Sequence, residues 1–319
     1  MQADAHANTY GALILGALCA SGLSGIVTAQ SFIYSKLFPS DRKPLKCLVL
    51  FVWTLDLTHI GLVWAGIWDY FIANFGTSGH VDFIPGTIAI SVVLTATLTF
   101  LAHCLFAHRI YHLSRKNKYL TMLVIALAFG RLAAATVSGI EMIHLHSYTL
   151  FRQKFLWLFT LGLSLSCAVD IMITFSLFFL LEKNRKETIM LQHVIDSLIL
   201  YAFEIGSLTS AATVVSMLCW VLLNNSLIFL GLHFVIGQLY ANSLLATLNS
   251  RDGIRRAYSS SLEHYNLTLQ ENGAGTLQFY HPQQQHRCMN HNHPVPISTT
   301  SSPTGRISVK SNEALSSPV

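Results

Sequence analysis

Seven long, uninterrupted apolar stretches restrict this chain more than any other feature does. They cover residues 10–34, 47–73, 84–107, 119–140, 155–181, 197–223 and 227–248. About 20 consecutive apolar residues wound as an α-helix cross the hydrocarbon layer of a bilayer. Helices and closed barrels are the structures that satisfy their own backbone hydrogen bonds there. Barrel strands would read as short alternating segments, and these stretches are continuous. The expected fold is therefore all-α: a polytopic membrane protein with a bundle of seven transmembrane helices in one domain. Composition agrees, since charged residues make up only 11% of the 319, against about 25% in a soluble domain.

The basic residues set an expected orientation. Lys36, Arg42, Lys43 and Lys46 follow the first stretch, Arg109, Arg115, Lys116 and Lys118 the third, and Lys183, Arg185 and Lys186 the fifth. Arg251, Arg255, Arg256, Arg287, Arg306 and Lys310 follow the seventh. Seventeen of the twenty Lys and Arg residues thus fall on one side, with only Arg152 and Lys154 opposite and Arg131 inside a stretch. Basic loops stay in the cytosol, which puts the N-terminus outside and the C-terminus inside. The first ten residues carry no Lys or Arg, so the first stretch reads as a retained helix rather than a secretory signal. The six cysteines have no disulfide or zinc spacing and read as free thiols. From residue 251 to 319 the chain is rich in Ser, Thr, Gln, Asn, His and Pro, the composition of a disordered cytosolic tail. Within it His286, Cys288, His291 and His293 lack a metal-binding spacing.

Polar side chains inside membrane segments mark function more often than chance placement would. Asp56 and His59 lie three residues apart on the second stretch, hence on one face. They suit proton relay or ligand binding, or equally an interhelical hydrogen-bonded pair. Arg131 calls for a carboxylate partner, among Asp56, Asp170 and Glu204, or for a water-filled cavity, and a site for an anionic headgroup or ligand is the sharper alternative. Asp170, Glu204 and Asn242 fall at similar depth and either converge or face separate neighbours. His103 and His233 read as packing residues. Small residues at Gly11, Gly16, Ala20, Ser21, Gly22 and Gly25 suit close helix approach. In the tail, Ser302 and Ser317 precede prolines and are candidate phosphorylation sites.

Marks of G-protein-coupled receptors are missing: the third stretch ends in Ala107-His108-Arg109-Ile110-Tyr111, and the seventh has no Asn-Pro-x-x-Tyr and no lysine for a retinal Schiff base. The run Val194-Ile-Asp-Ser-Leu-Ile-Leu-Tyr, Gly206-Ser-Leu-Thr-Ser, and Leu239-Tyr-Ala-Asn-Ser-Leu-Leu-Ala-Thr-Leu-Asn-Ser-Arg resembles an uncharacterised fungal family, domain of unknown function 6534. Leu55-Asp56-Leu57-Thr58-His59 and the opening from Gly11 to Tyr34 fit it too. The resemblance, covering residues 11–251, implies a seven-helix membrane protein and no reaction, ligand or catalytic residue.

No nucleophile, metal-ligand or cofactor motif supports an enzyme, so no catalytic residue, cofactor or metal is expected. The expected partners are the lipid bilayer, a small-molecule ligand or ion, and a cytosolic protein met through the tail, with no nucleic acid. The functional expectation is a receptor-like or sensory protein of the plasma membrane or another secretory-pathway membrane. The alternatives are a transporter or channel for a proton, ion or small solute, and a membrane scaffold or lipid-binding protein.

Overall fold

A computed structural model describes residues 2–74, 82–114, 116–187, 192–223 and 226–271. Among them run seven α-helices: α1 (Gln2–Leu37), α2 (Lys43–Trp68), α3 (Gly86–Leu113), α4 (Lys118–Leu145), α5 (Tyr148–Glu187), α6 (Gln192–Leu222) and α7 (Ile228–Glu271). A π-helical turn, Asp69–Ala73, extends α2. Six of the helices are long and apolar enough to cross a membrane, and α6 contributes a shorter apolar segment, Gly206–Leu222.

Several helix boundaries have a local cause. Pro44 sits in the first turn of α2, where its missing N–H costs nothing. The Asn117 side chain caps α4 by accepting from the Tyr119 N–H at 3.1 Å. His146 ends α4 in the left-handed region at φ 51°. Asp82 gathers the start of α5, accepting from the Thr149 N–H at 2.8 Å, the Thr149 hydroxyl at 2.6 Å and the Ser147 hydroxyl. At the far end of α6, Arg152 donates to the Val221 carbonyl at 3.0 Å and lies 5.0 Å from the Trp220 ring. A basic side chain here satisfies a helix C-terminus.

Most helices run several residues past the expected bounds, and two of these differences have a local cause. The fifth helix begins at Tyr148, seven residues before the expected start, and its backbone breaks at Phe155 (φ −122°, ψ 17°). The apolar run after the basic pair Arg152 and Lys154 marks the kink, not the beginning. The seventh helix does not stop at residue 248 but continues to Glu271. Residues 252–271 contain no proline, and Arg256 pairs with Asp252 one turn earlier at 2.7 Å, which supports continued winding. The rest of the expected tail, with Ser302, Ser317 and the His/Cys cluster, lies outside the described residues. The described cysteines are free, as expected.

The helices are not equivalent. In α7, 72% of the apolar span is buried inside the protein and in α3 56%, against 28–33% for α1, α2, α4 and α5. The bundle is therefore built around α3 and α7. The other helices turn large apolar side chains outward, Leu15, Phe32, Trp68, Phe129, Trp157 and Phe179 among them, a surface that suits lipid rather than water.

Helices α1 and α7 run parallel and meet along their length. Gly16 and Gly231 bring the two backbones together, so that a Cβ added at Gly16 would lie 2.4 Å from the Gly231 carbonyl oxygen. Gly11, Gly22 and Gly25 have open space around them, so Gly16 alone of the small-residue glycines in α1 makes a backbone approach. Below it, Asn242 donates to the Leu23 carbonyl at 3.0 Å and Asn249 to the Gln30 carbonyl at 3.0 Å. Both pairs step by seven residues, two helical turns, which makes a repeated clamp.

Candidate functional site

The apolar core forms two clusters. One contains Leu13, Ile88, Phe151, Trp220 and Phe229, the other Val27, Leu98, Val169, Leu244 and Leu248. Buried polar side chains concentrate where these meet. Asp56, fully buried, accepts from the Ser24 hydroxyl of α1 at 2.5 Å. One turn along, His59 has Nε2 3.1 Å from the Thr95 hydroxyl of α3 and Nδ1 3.2 Å from the Gln238 side-chain nitrogen of α7. An amide nitrogen can only donate, so Nδ1 is the acceptor and a neutral His59 carries its proton on Nε2. Asp56 and His59 share a face as expected, but each bonds a different helix. Asp56 Oδ1 and Gln238 Oε1 have no protein partner.

A second group joins α3, α5 and α7. Asp170 accepts from His103 Nε2 at 3.0 Å and from the Tyr240 hydroxyl at 2.6 Å, and the Ser166 hydroxyl lies 3.0 Å from that of Tyr240. The His103 and Tyr240 rings meet edge to face at 5.4 Å. Both carboxylate oxygens are thus engaged. A cavity of about 20 Å³ lies alongside, lined by Asp170, Tyr240, Thr174 and Ser243, with room for a single water.

Arg131 makes no salt bridge among the described residues. It is 3% exposed, and its Nε and Nη1 make no hydrogen bond. Asp170 is near enough to act on it electrostatically, but its oxygens are engaged by His103 and Tyr240. Asp56 is turned to α1, and the Glu204 side chain lies outside the described residues. Arg131 lines a separate cavity of about 20 Å³ together with His233, Ser138 and Phe159. Neither ring nitrogen of His233 has a hydrogen-bond partner. Asp170 and Asn242 do not converge, since Asn242 faces α1.

At the end of α1 that leads into the basic loop, a groove of about 390 Å³ lies between α1 and α2. Thr28, Phe32, Tyr34 and Phe38 form one side and Lys46, Val49, Leu50 and Trp53 the other. Its wall is tied to α7. The Tyr34 hydroxyl donates to Asp41 at 2.8 Å, Arg251 donates to the same carboxylate at 2.5 Å, and the Arg251 guanidinium lies 4.6 Å from the Phe38 ring. In the connection between α1 and α2, the Arg251 hydrogen bond is the main influence holding the Asp41 carboxyl below its ordinary range, with Tyr34 and Lys46 adding to it and burial opposing.

His103, Gln238, Tyr240 and Ser24 escaped the sequence reading as site residues. Each is common on apolar helices, and only their depth, matched to Asp170 or to Asp56, pointed to them. No group of three or more His, Cys, Asp or Glu among the described residues is placed to hold a metal ion.

Residues 166–253 match the model of a family of unknown function, DUF6534. The match spans the second part of α5 through the membrane portion of α7, a shorter reach than 11–251. It contains Asp170, Gln238, Tyr240, Asn242, Asn249 and Arg251, whose hydrogen bonds tie α7 to α1, α2 and α5. No curated protein and no solved structure matches the chain.

Proposed function

We propose that this multi-pass membrane protein is receptor-like: a seven-crossing bundle, N-terminus outside, that holds an apolar or lipid-like ligand between α1 and α2 and reports it through α7. One observation carries the reading. The groove wall formed by Tyr34 and Phe38 is also the seat of Arg251, at the point where α7 leaves the apolar core and continues to Glu271. A ligand that moves Phe38 or Tyr34 acts directly on the Arg251–Asp41 contact. The groove is mostly apolar, with Lys46 at one end, which suits an amphipathic molecule. The basic loop residues favour a cytosolic position for this end, in the plasma membrane or another secretory-pathway membrane.

The test uses the full chain extracted from cells and analysed by native mass spectrometry. The wild type retains an apolar ligand or lipid, and Thr28→Trp, which fills the groove, loses it. In a cytosolic pull-down, ligand-dependent partner capture disappears with Arg251→Ala. Identical ligand retention by wild type and Thr28→Trp refutes the reading. The crossing number and orientation have their own check. With native cysteines replaced, His144→Cys reacts with an impermeant thiol reagent in intact cells and Asn117→Cys only after permeabilisation.

The buried titratable layer of Asp56, His59, His103 and Asp170 supports a second reading, proton or ion transport. Proton flux in liposomes that stops with Asp170→Asn would favour it over the receptor.

A further inference from the structure

Arg131 presents a problem in physical chemistry that the receptor reading does not address. A guanidinium keeps its charge in proteins, and a buried charge needs a counter-charge as well as hydrogen bonds. Arg131 is 3% exposed, yet Nε and Nη1 have no acceptor in the protein. The side chain lines the cavity of about 20 Å³ to which α3, α4, α5 and α7 contribute residues. His233, also 3% exposed, faces the same space with both ring nitrogens unpartnered. In either neutral tautomer it has one N–H to give. Ser138 adds a hydroxyl whose proton is directed to the Ala134 carbonyl at 2.8 Å. The remaining walls are apolar, with Val92, Phe159 and Leu163 among them.

We infer that this cavity is a binding site for one monatomic anion of the halide class, held by Arg131 and His233 at mid-membrane. The volume admits a single water-sized occupant and rejects carboxylates, phosphates and lipid headgroups. The donors are guanidinium N–H groups and an imidazole N–H, which match an acceptor of hydrogen bonds and not a cation. A water molecule could satisfy those donors but brings no counter-charge, and Asp170, which acts on Arg131 without lining the cavity, already accepts from His103 and Tyr240. An anion both accepts from the donors and brings the charge. The site joins four helices, so its occupation stabilises the bundle as a whole.

The experiment uses the full chain purified in detergent and exchanged into gluconate, an anion too large for the cavity. Chloride, bromide and iodide are then titrated at constant ionic strength and the thermal unfolding midpoint is followed. A saturable rise with chloride or bromide is expected, as for any ligand that binds only the folded state. Arg131→Met should abolish that rise, and His233→Phe should weaken the apparent affinity at least tenfold. A midpoint unchanged between gluconate and chloride overturns the inference and assigns the balance of the Arg131 charge to Asp170 with water in the cavity. A rise that persists unaltered in Arg131→Met also overturns it, as a general salt effect. Should Arg131→Met fail to fold, anomalous scattering from bromide-soaked wild-type crystals decides: a peak between Arg131 and His233 supports the site, and its absence at saturating bromide overturns it. Loss of this site would leave the α1–α2 groove reading intact, because the two share no residue.

Discussion

Replacing Gly16 by alanine adds one methyl group, and the structure says where it would go. The new Cβ would lie 2.4 Å from the Gly231 carbonyl oxygen, 2.6 Å from Gly231 Cα and 2.7 Å from its carbonyl carbon. Real Cβ atoms essentially never come within 3.0 Å of such neighbours. The obstacle is backbone, so no rotamer change relieves it, and α1 and α7 must part by more than half an ångström. Overpacking of this kind costs about 1–3 kcal/mol. Parting the helices also stretches the nearest side-chain clamp, Asn242 to the Leu23 carbonyl, and interhelical hydrogen bonds in membranes average about 0.6 kcal/mol. Alanine returns up to about 1 kcal/mol through its better helix propensity. The net expectation is a loss of about 1–3 kcal/mol. Gly25→Ala is the internal control: nothing lies within 4 Å of its added Cβ, so it should be neutral or stabilising by up to about 1 kcal/mol. Reversible unfolding in mixed micelles, with SDS as denaturant, measures both. Gly231→Ala should behave like Gly16→Ala, because its Cβ would meet the Ala12 carbonyl oxygen at 2.4 Å. The double variant should cost less than the sum, since the helices part only once. Equal stability of Gly16→Ala and Gly25→Ala would refute the backbone contact and the α1–α7 pairing built on it.

Other outcomes follow from the same contacts. Tyr240→Phe should destabilise by about 1–3 kcal/mol, because it leaves Asp170 Oδ2 without its donor; a double-mutant cycle with Asp170→Asn should show coupling, and strict additivity would separate the pair. Asn249→Leu should loosen α1 from α7, read as faster deuterium uptake along α1, while Thr54→Leu, whose hydroxyl only bonds its own helix, should not. The Asp41 carboxyl is held below its ordinary range chiefly by Arg251. A carboxyl lowered by folding contributes stability that is fully present above its unfolded value, near 3.9, and is lost as pH falls through the folded value. Thermal stability should therefore keep this contribution from pH 8 to 5 and lose it below about pH 4, and Arg251→Ala should remove most of that acid limb. An unchanged acid limb in Arg251→Ala would deny the contact.

The segments themselves were legible because lipid demands a long apolar run with its hydrogen bonds closed inside one helix, and that requirement is written residue by residue. Helix ends were less so. The start of α5 hides behind Arg152 and Lys154, whose charges suggest a loop, although Arg152 turns to the α6 carbonyls. The polar residues were legible as individuals, for any Asp or Arg in an apolar run is conspicuous. Their partners were not. Asp170 finds His103 across 67 positions of sequence and Tyr240 across 70, and no periodicity within one helix encodes which faces two helices present to each other. Arg131 shows the limit best: its charge calls for a carboxylate or a water-filled cavity, and no pattern within α4 says which of the two the fold supplies.

The unbroken course of α7 has a mechanical meaning. From the tight seat at Gly231 to Glu271 the helix rises about 60 Å at 1.5 Å per residue. A rigid rod pivoting by about 5° at that seat would carry its far end through about 5 Å over such a length. Arg251 stands midway along, where the α1–α2 connection grips the rod through Asp41. A displacement at that grip would be doubled at the tip, so an event within the membrane is felt, enlarged, well beyond it.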